Sequence, residues 1–156
     1  MEEIVQLNSN AKLSEHFSLA EMCKTSANLD NVPNEAQVEN LKRLCGWLEM
    51  LRSEWNKRYG EGNDPIIINS GFRSEAVNKA VGGVKGSNHL SGCAADIRVA
   101  GMEQLIRYAT ILLDISDESQ EDFDELLLER SPKGNYWLHF AVRPSGNRRN
   151  VRLIQT

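Results

Sequence analysis

The segments Ser70-Gly71-Phe72-Arg73-Ser74, Gly82-Gly83 and Ser87-Asn88-His89-Leu90-Ser91-Gly92-Cys93-Ala94-Ala95-Asp96-Ile97 carry the most information in the chain. His89 sits in a loop rich in Gly and Ser, and Asp96 follows seven residues later inside a run, Ala95 to Val99, that reads as a strand. Gly92, Ala94 and Ala95 are small, so the backbone can turn closely between the two polar residues. An acid in an otherwise apolar strand needs a partner, because a buried unpaired carboxylate is costly. The chain has three histidines, His16, His89 and His139, so imidazole chemistry has few places to go. His139 lies in a second apolar run, Tyr136 to Val142. Two imidazoles and one carboxylate are a familiar donor set for a catalytic zinc, with a fourth position left for water.

Upstream of this region the pattern is helical. Ser18 with Glu21, and Asn34 with Gln37, have the spacing of capping boxes, and Phe17 with Met22 has that of a hydrophobic staple. The first box predicts a short helix from Leu19 to about Ser26. The second opens a long one, in which Val38, Leu41, Leu44, Cys45, Leu48, Leu51 and Trp55 recur at three- and four-residue steps as far as Arg58. Downstream, strands are expected at Ile66–Ile68, Ala95–Val99, Asp124–Glu129, Tyr136–Val142 and, at an edge, Val151–Ile154. Helices are expected at Ser74–Val81 and Met102–Leu113, and a hairpin turn at Arg130–Asn135. Helices early and strands late predict an α+β fold with a mostly antiparallel sheet.

Composition narrows the classes. The 156 residues suit one domain, taken as 1–156 with residues 1–12 flexible. A net charge of −4 argues against a general nucleic-acid binder. No apolar run is long enough for membrane insertion, and the acidic, polar start does not resemble a secretory signal. Three cysteines without a CxxC pair argue against a disulfide framework, and Cys93 reads as a buried thiol. Arg143, Arg148, Arg149 and Arg152 form a basic stretch, either a solvated strand face or a surface for an anionic polymer.

The pattern SGFRS…VGG…SNHLSGCAADI…WLHF resembles the zinc D-Ala-D-Ala metallopeptidases of the hedgehog/DD-peptidase fold, and most of all their short phage- and prophage-type branch. The segment HFSLAEM and the long helix before SGFRS share the likeness. The resemblance implies N-terminal helices packed on a sheet that carries one Zn2+ per chain, bound by His89, Asp96 and His139. It implies hydrolysis of peptide bonds in peptidoglycan stem peptides or cross-bridges, by a carboxypeptidase or an endolysin-type endopeptidase. Arg73 would hold a substrate carboxylate or polarise the scissile carbonyl, Ser87 would lie near the substrate, and Trp137 would shape the site.

Many relatives place an acid three residues before the last histidine; here that residue is Tyr136, which cannot serve as a base at neutral pH. Glu129 is expected in its place, on the same face as His139 if the hairpin loop has an odd residue count, with Glu125 of equal parity as second choice. The base would take a proton from water and pass it to the leaving amine. Two rivals remain: a zinc-stabilised wall-binding module without catalysis, and a metal-free structural prophage or virion protein. The expected partner is a peptidoglycan peptide, with no nucleic acid and a monomeric chain. The expected setting is synthesis in the cytoplasm followed by phage-type release to the cell wall.

Overall fold

A computed structural model describes residues 10–155. Both capping boxes form. Glu21 N donates to Ser18 Oγ at 3.2 Å and starts α1 (Leu19–Met22), while Gln37 N donates to Asn34 Oδ1 at 2.9 Å and starts α2 (Glu35–Arg58). The chain continues through β1 (Ile68–Ser70), α3 (Glu75–Ala80), a 3-10 turn (Asn88–Ser91), β2 (Ala94–Arg98) and α4 (Met102–Ser119). It closes with β3 (Glu125–Arg130), β4 (Tyr136–Ala141) and β5 (Asn150–Gln155).

Among the described residues the five strands form one sheet in the order β1-β2-β4-β3-β5. Every neighbouring pair is antiparallel except β3 and β5, which run parallel. Strand alternation gives this sheet two unlike faces. Ala95, Ile97, Leu126, Leu138 and Phe140 are buried on one face, within the cluster that includes Leu41, Leu44, Leu48, Leu51, Leu105, Ile111 and Leu112 from α2 and α4. The other face carries Asp96, Glu125, Glu129, Trp137 and His139.

Several boundaries differ from expectation. The first helix ends at Met22 rather than near Ser26, because Met22 O accepts from Phe72 N at 2.7 Å and is no longer free to continue the helix. The strand expected at Ile66–Ile68 lies at Ile68–Ser70. The last long helix runs six residues past Leu113, since Ile115 and Ser116 continue its buried face until Gln120 turns left-handed at φ 59°. The edge strand exists, but lies parallel to β3. Lys12 bridges to Ser18, and Ala11 O accepts from Leu19 N. The flexibility expected of residues 1–9 falls outside the described residues.

Candidate metal centre

Asp96 and His139 are direct cross-strand partners on β2 and β4, so their side chains rise from the same face of the sheet. His89 comes from the 3-10 turn. Ser87 Oγ caps that turn by accepting from His89 N at 3.1 Å, and Gly92 closes it in the left-handed region at φ 77°. A Cβ on Gly92 would meet Gln37 O at 2.6 Å, so the turn is pressed against α2. These constraints bring His89, Asp96 and His139 together: one donor atom from each lies within 4.8 Å of the others. His89 Nε2 is 3.4 Å from Asp96 Oδ2, and His139 Nδ1 is 3.1 Å from Asp96 Oδ1. Cys93 is buried but is not in this group, and burial pushes its thiol pKa up.

The outer nitrogen of each ring has its own partner. His89 Nδ1 lies 2.6 Å from Gly71 O, which can only accept, so Nδ1 carries the proton and Nε2 faces the group. His139 is held the opposite way round, with Nε2 2.9 Å from Glu125 Oε1 and Nδ1 toward Asp96. Both rings are buried. Two ring nitrogens and a carboxylate, each with an outward partner that fixes its aim, fit a divalent zinc.

The electrostatics follow from burial and pairing. Burial alone would raise the Asp96 pKa, but the adjoining His139 and His89 rings hold it well below the usual carboxylate range. Burial would lower the pKa of His139, but Asp96 and Glu125 outweigh it and raise it to about 9. Arg73 reaches the same group: its Nη2 is 3.2 Å from Asp96 Oδ2, its Nε donates to Ser70 Oγ and its Nη1 to Asn78 Oδ1.

The hairpin loop between Arg130 and Tyr136 has an odd count, so Glu129 and Glu125 both share the face of His139. Glu129 pairs across the hairpin with Trp137 and its Oε2 accepts from Trp137 Nε1 at 3.0 Å. Burial, first among its influences, raises the Glu129 pKa, while the charge of His139 pulls the other way. Glu125 differs: the hydrogen bond from His139 lowers its pKa, and its Oε1 also accepts from Asn88 Nδ2 at 2.7 Å.

Three participants had no role in the sequence reading. Gly71 supplies the acceptor for His89, Asn88 bonds Glu125, and Asp124 bonds Asn88 at 2.8 Å. For Asp124 a signal existed in its acid side chain at the start of an apolar strand. Three arginines of the basic stretch are engaged in ion pairs, Arg148 and Arg143 with buried Asp124 and Arg149 with Asp117 at the surface, while Arg152 is exposed.

A family model described as peptidase M15 matches residues 15–115, which include Arg73, His89 and Asp96 and stop before His139. Over 40 residues, 26% of this chain, the sequence is 48% identical to a zinc D-Ala-D-Ala carboxypeptidase of Streptomyces albus G. That alignment spans 16% of the relative's own length. With about two thirds of its length matched by the family model, the chain belongs to the peptidase M15 family, the zinc D-Ala-D-Ala peptidases that its motifs resemble.

Proposed function

We propose that the chain is a zinc metallopeptidase of hedgehog/DD-peptidase-like fold that hydrolyses peptide bonds in peptidoglycan stem peptides or cross-bridges. The observation that carries this reading is the convergence of His89 Nε2, Asp96 and His139 Nδ1, each outer ring nitrogen already tied. His89, Asp96 and His139 would hold one Zn2+ per chain, which would supply Lewis acidity there. Arg73, beside Asp96, is placed to stabilise the negative oxygen that develops as water adds to the carbonyl carbon. Glu129, whose pKa burial raises and whose carboxylate Trp137 steadies, would take a proton from the attacking water and deliver it to the leaving amine as the C–N bond breaks. Ser87 acts through the cap that sets His89, and its approach to substrate is part of the same proposal. A cleft of about 510 Å³, lined by Glu75, Asn78, Lys79, Gly83, Lys85 and Leu90, adjoins Asn78, the partner of Arg73, and offers room for the peptide.

We read the chain as one domain acting as a monomer, with no nucleic-acid partner, reaching the wall by phage-type release. No helix among the described residues is long and apolar enough to cross a membrane. The test is incubation of the purified protein with murein stem peptides and detection of a new amine. Release should stop after strict metal removal and in His89→Ala. Activity surviving both would reject the reading, and tight binding of wall fragments without turnover would favour a non-catalytic binding module.

A further inference from the structure

We propose that Glu125 is a positioning residue for His139, and that the arm from Arg143 to Arg148 tunes the zinc affinity of a site to which it gives no ligand. The inference rests on the zinc reading above and adds a second tier of residues to it.

Glu125 and His139 sit on neighbouring strands of the same sheet face, diagonal to one another because Glu125 is opposite Ala141. Glu125 Oε1 accepts from His139 Nε2 at 2.9 Å and from Asn88 Nδ2 at 2.7 Å. Asn88 is fixed on both ends of its amide. Its Nδ2 also faces Asp124 Oδ2 at 2.8 Å, and its Oδ1 accepts from Arg143 Nε at 2.8 Å. Asp124 has no exposed surface. It takes Arg148 in a two-pronged pair, Nε to Oδ1 at 3.0 Å and Nη2 to Oδ2 at 2.8 Å, with Arg148 N on Oδ1 at 3.1 Å. A connected path thus runs from Arg143 and Arg148 through Asp124 and Asn88 to Glu125 and His139.

The consequence lies in which nitrogen of His139 keeps its lone pair. With Nε2 holding its proton on the Glu125 carboxylate, Nδ1 is the nitrogen that gives up its proton to a metal ion, and Nδ1 is the atom turned toward Asp96. Without Glu125 the ring can rotate or carry its proton on Nδ1, and either change removes a donor from the group. The same contacts commit Glu125 Oε1 to two donors, which favours Glu129 over Glu125 as the general base. Outer partners of metal-bound histidines are typically worth about 10–100-fold in metal affinity.

The test is zinc affinity by competition with a chromophoric chelator, on the full chain, with the thermal unfolding of each metal-free variant as control. Glu125→Ala should bind zinc about 10–100-fold more weakly. Glu125→Gln keeps an acceptor at Oε1 and should recover most of that loss. Arg148→Ala, which loosens Asp124 and removes the guanidinium 3.8 Å from Glu125 Oε2 without touching His139, should fall between wild type and Glu125→Ala. In zinc-loaded wild type, long-range proton–nitrogen spectra should place the His139 proton on Nε2. Folded Glu125→Ala with wild-type affinity overturns the inference, as does Glu125→Gln losing as much as Glu125→Ala. If Glu125→Ala does not fold, a His139 proton found on Nδ1 in loaded wild type overturns it. Wild type taking up no zinc would remove the metal reading itself, whereas uptake insensitive to these variants removes only this inference.

Discussion

Gly71 serves two neighbours at once. A Cβ there would stand 2.4 Å from Met22 O, so only glycine lets the backbone after β1 lie against the end of α1. Its own carbonyl receives His89 Nδ1. Gly71→Ala must push backbone away from backbone, and overpacking of this kind costs about 1–3 kcal/mol. The expected outcome is a lower urea midpoint together with weaker zinc uptake; an unchanged midpoint would show that α1 gives way freely. Glu129→Gln belongs at the same scale. It keeps a hydrogen-bond acceptor for Trp137 but cannot carry the proton, so turnover should fall by about 10²–10⁴ while zinc content stays constant. Unchanged turnover would take Glu129 out of the mechanism. His89, Asp96 and His139 were legible from residue type and spacing because metal donors are few and the motif around them is specific. Gly71, Asn88 and Asp124 were not, because a carbonyl acceptor or a bonded amide leaves no mark on spacing; their partners lie 18, 37 and 24 residues away.

Helix starts were legible to the residue at Ser18 and Asn34, since capping is local chemistry. Helix ends were legible only in part: α2 ends at Arg58 as expected, but α1 stops where Phe72, in the loop after β1, takes its carbonyl, and α4 continues where burial still rewards Ile115. The parallel pairing of β5 was equally hidden. After β4 the chain passes the start of β3 and emerges beside it, with Asn150 N on Asp124 O and Arg149 N on Phe123 O. Asp124 is the post around which this crossing is tied. Burial would raise its pKa, but hydrogen bonds from Arg148 and Asn88 outweigh it, lowering the pKa from 3.8 to about 2. The folded value lies below the unfolded one, so the stabilisation is full above pH ~4 and is lost as pH falls from about 4 to about 2. It amounts to about 2 kcal/mol at neutral pH. Asp124→Asn should therefore lower stability at pH 7 and flatten the acid limb of the curve. Denaturant unfolding across pH 2–7 reads both, and an unchanged acid limb would show that other carboxylates dominate it.

At the scale of the molecule, the sheet separates two tasks. Its apolar face buries Phe140, Leu138, Leu126 and Ile97 with the helices, while its other face carries the donor group with polar residues behind it. The donors come from separate elements, the 3-10 turn before β2, β2 itself and β4, so an ion held among them crosslinks the middle of the sheet to the loop packed on α2. An ion that binds the folded chain and not the unfolded one must stabilise the whole fold by linkage, about 2.7 kcal/mol at a hundredfold excess over Kd. For a chain of this size each kcal/mol moves Tm by about 2–4 °C, so saturating zinc should raise Tm by about 5–10 °C. His89→Ala should abolish most of that rise. Lowering the pH should shrink it, because protons compete with the metal for both imidazoles. A rise of equal size in His89→Ala would mean that zinc acts elsewhere on the chain. A rise that persists undiminished in acid would mean that the two histidines do not hold it.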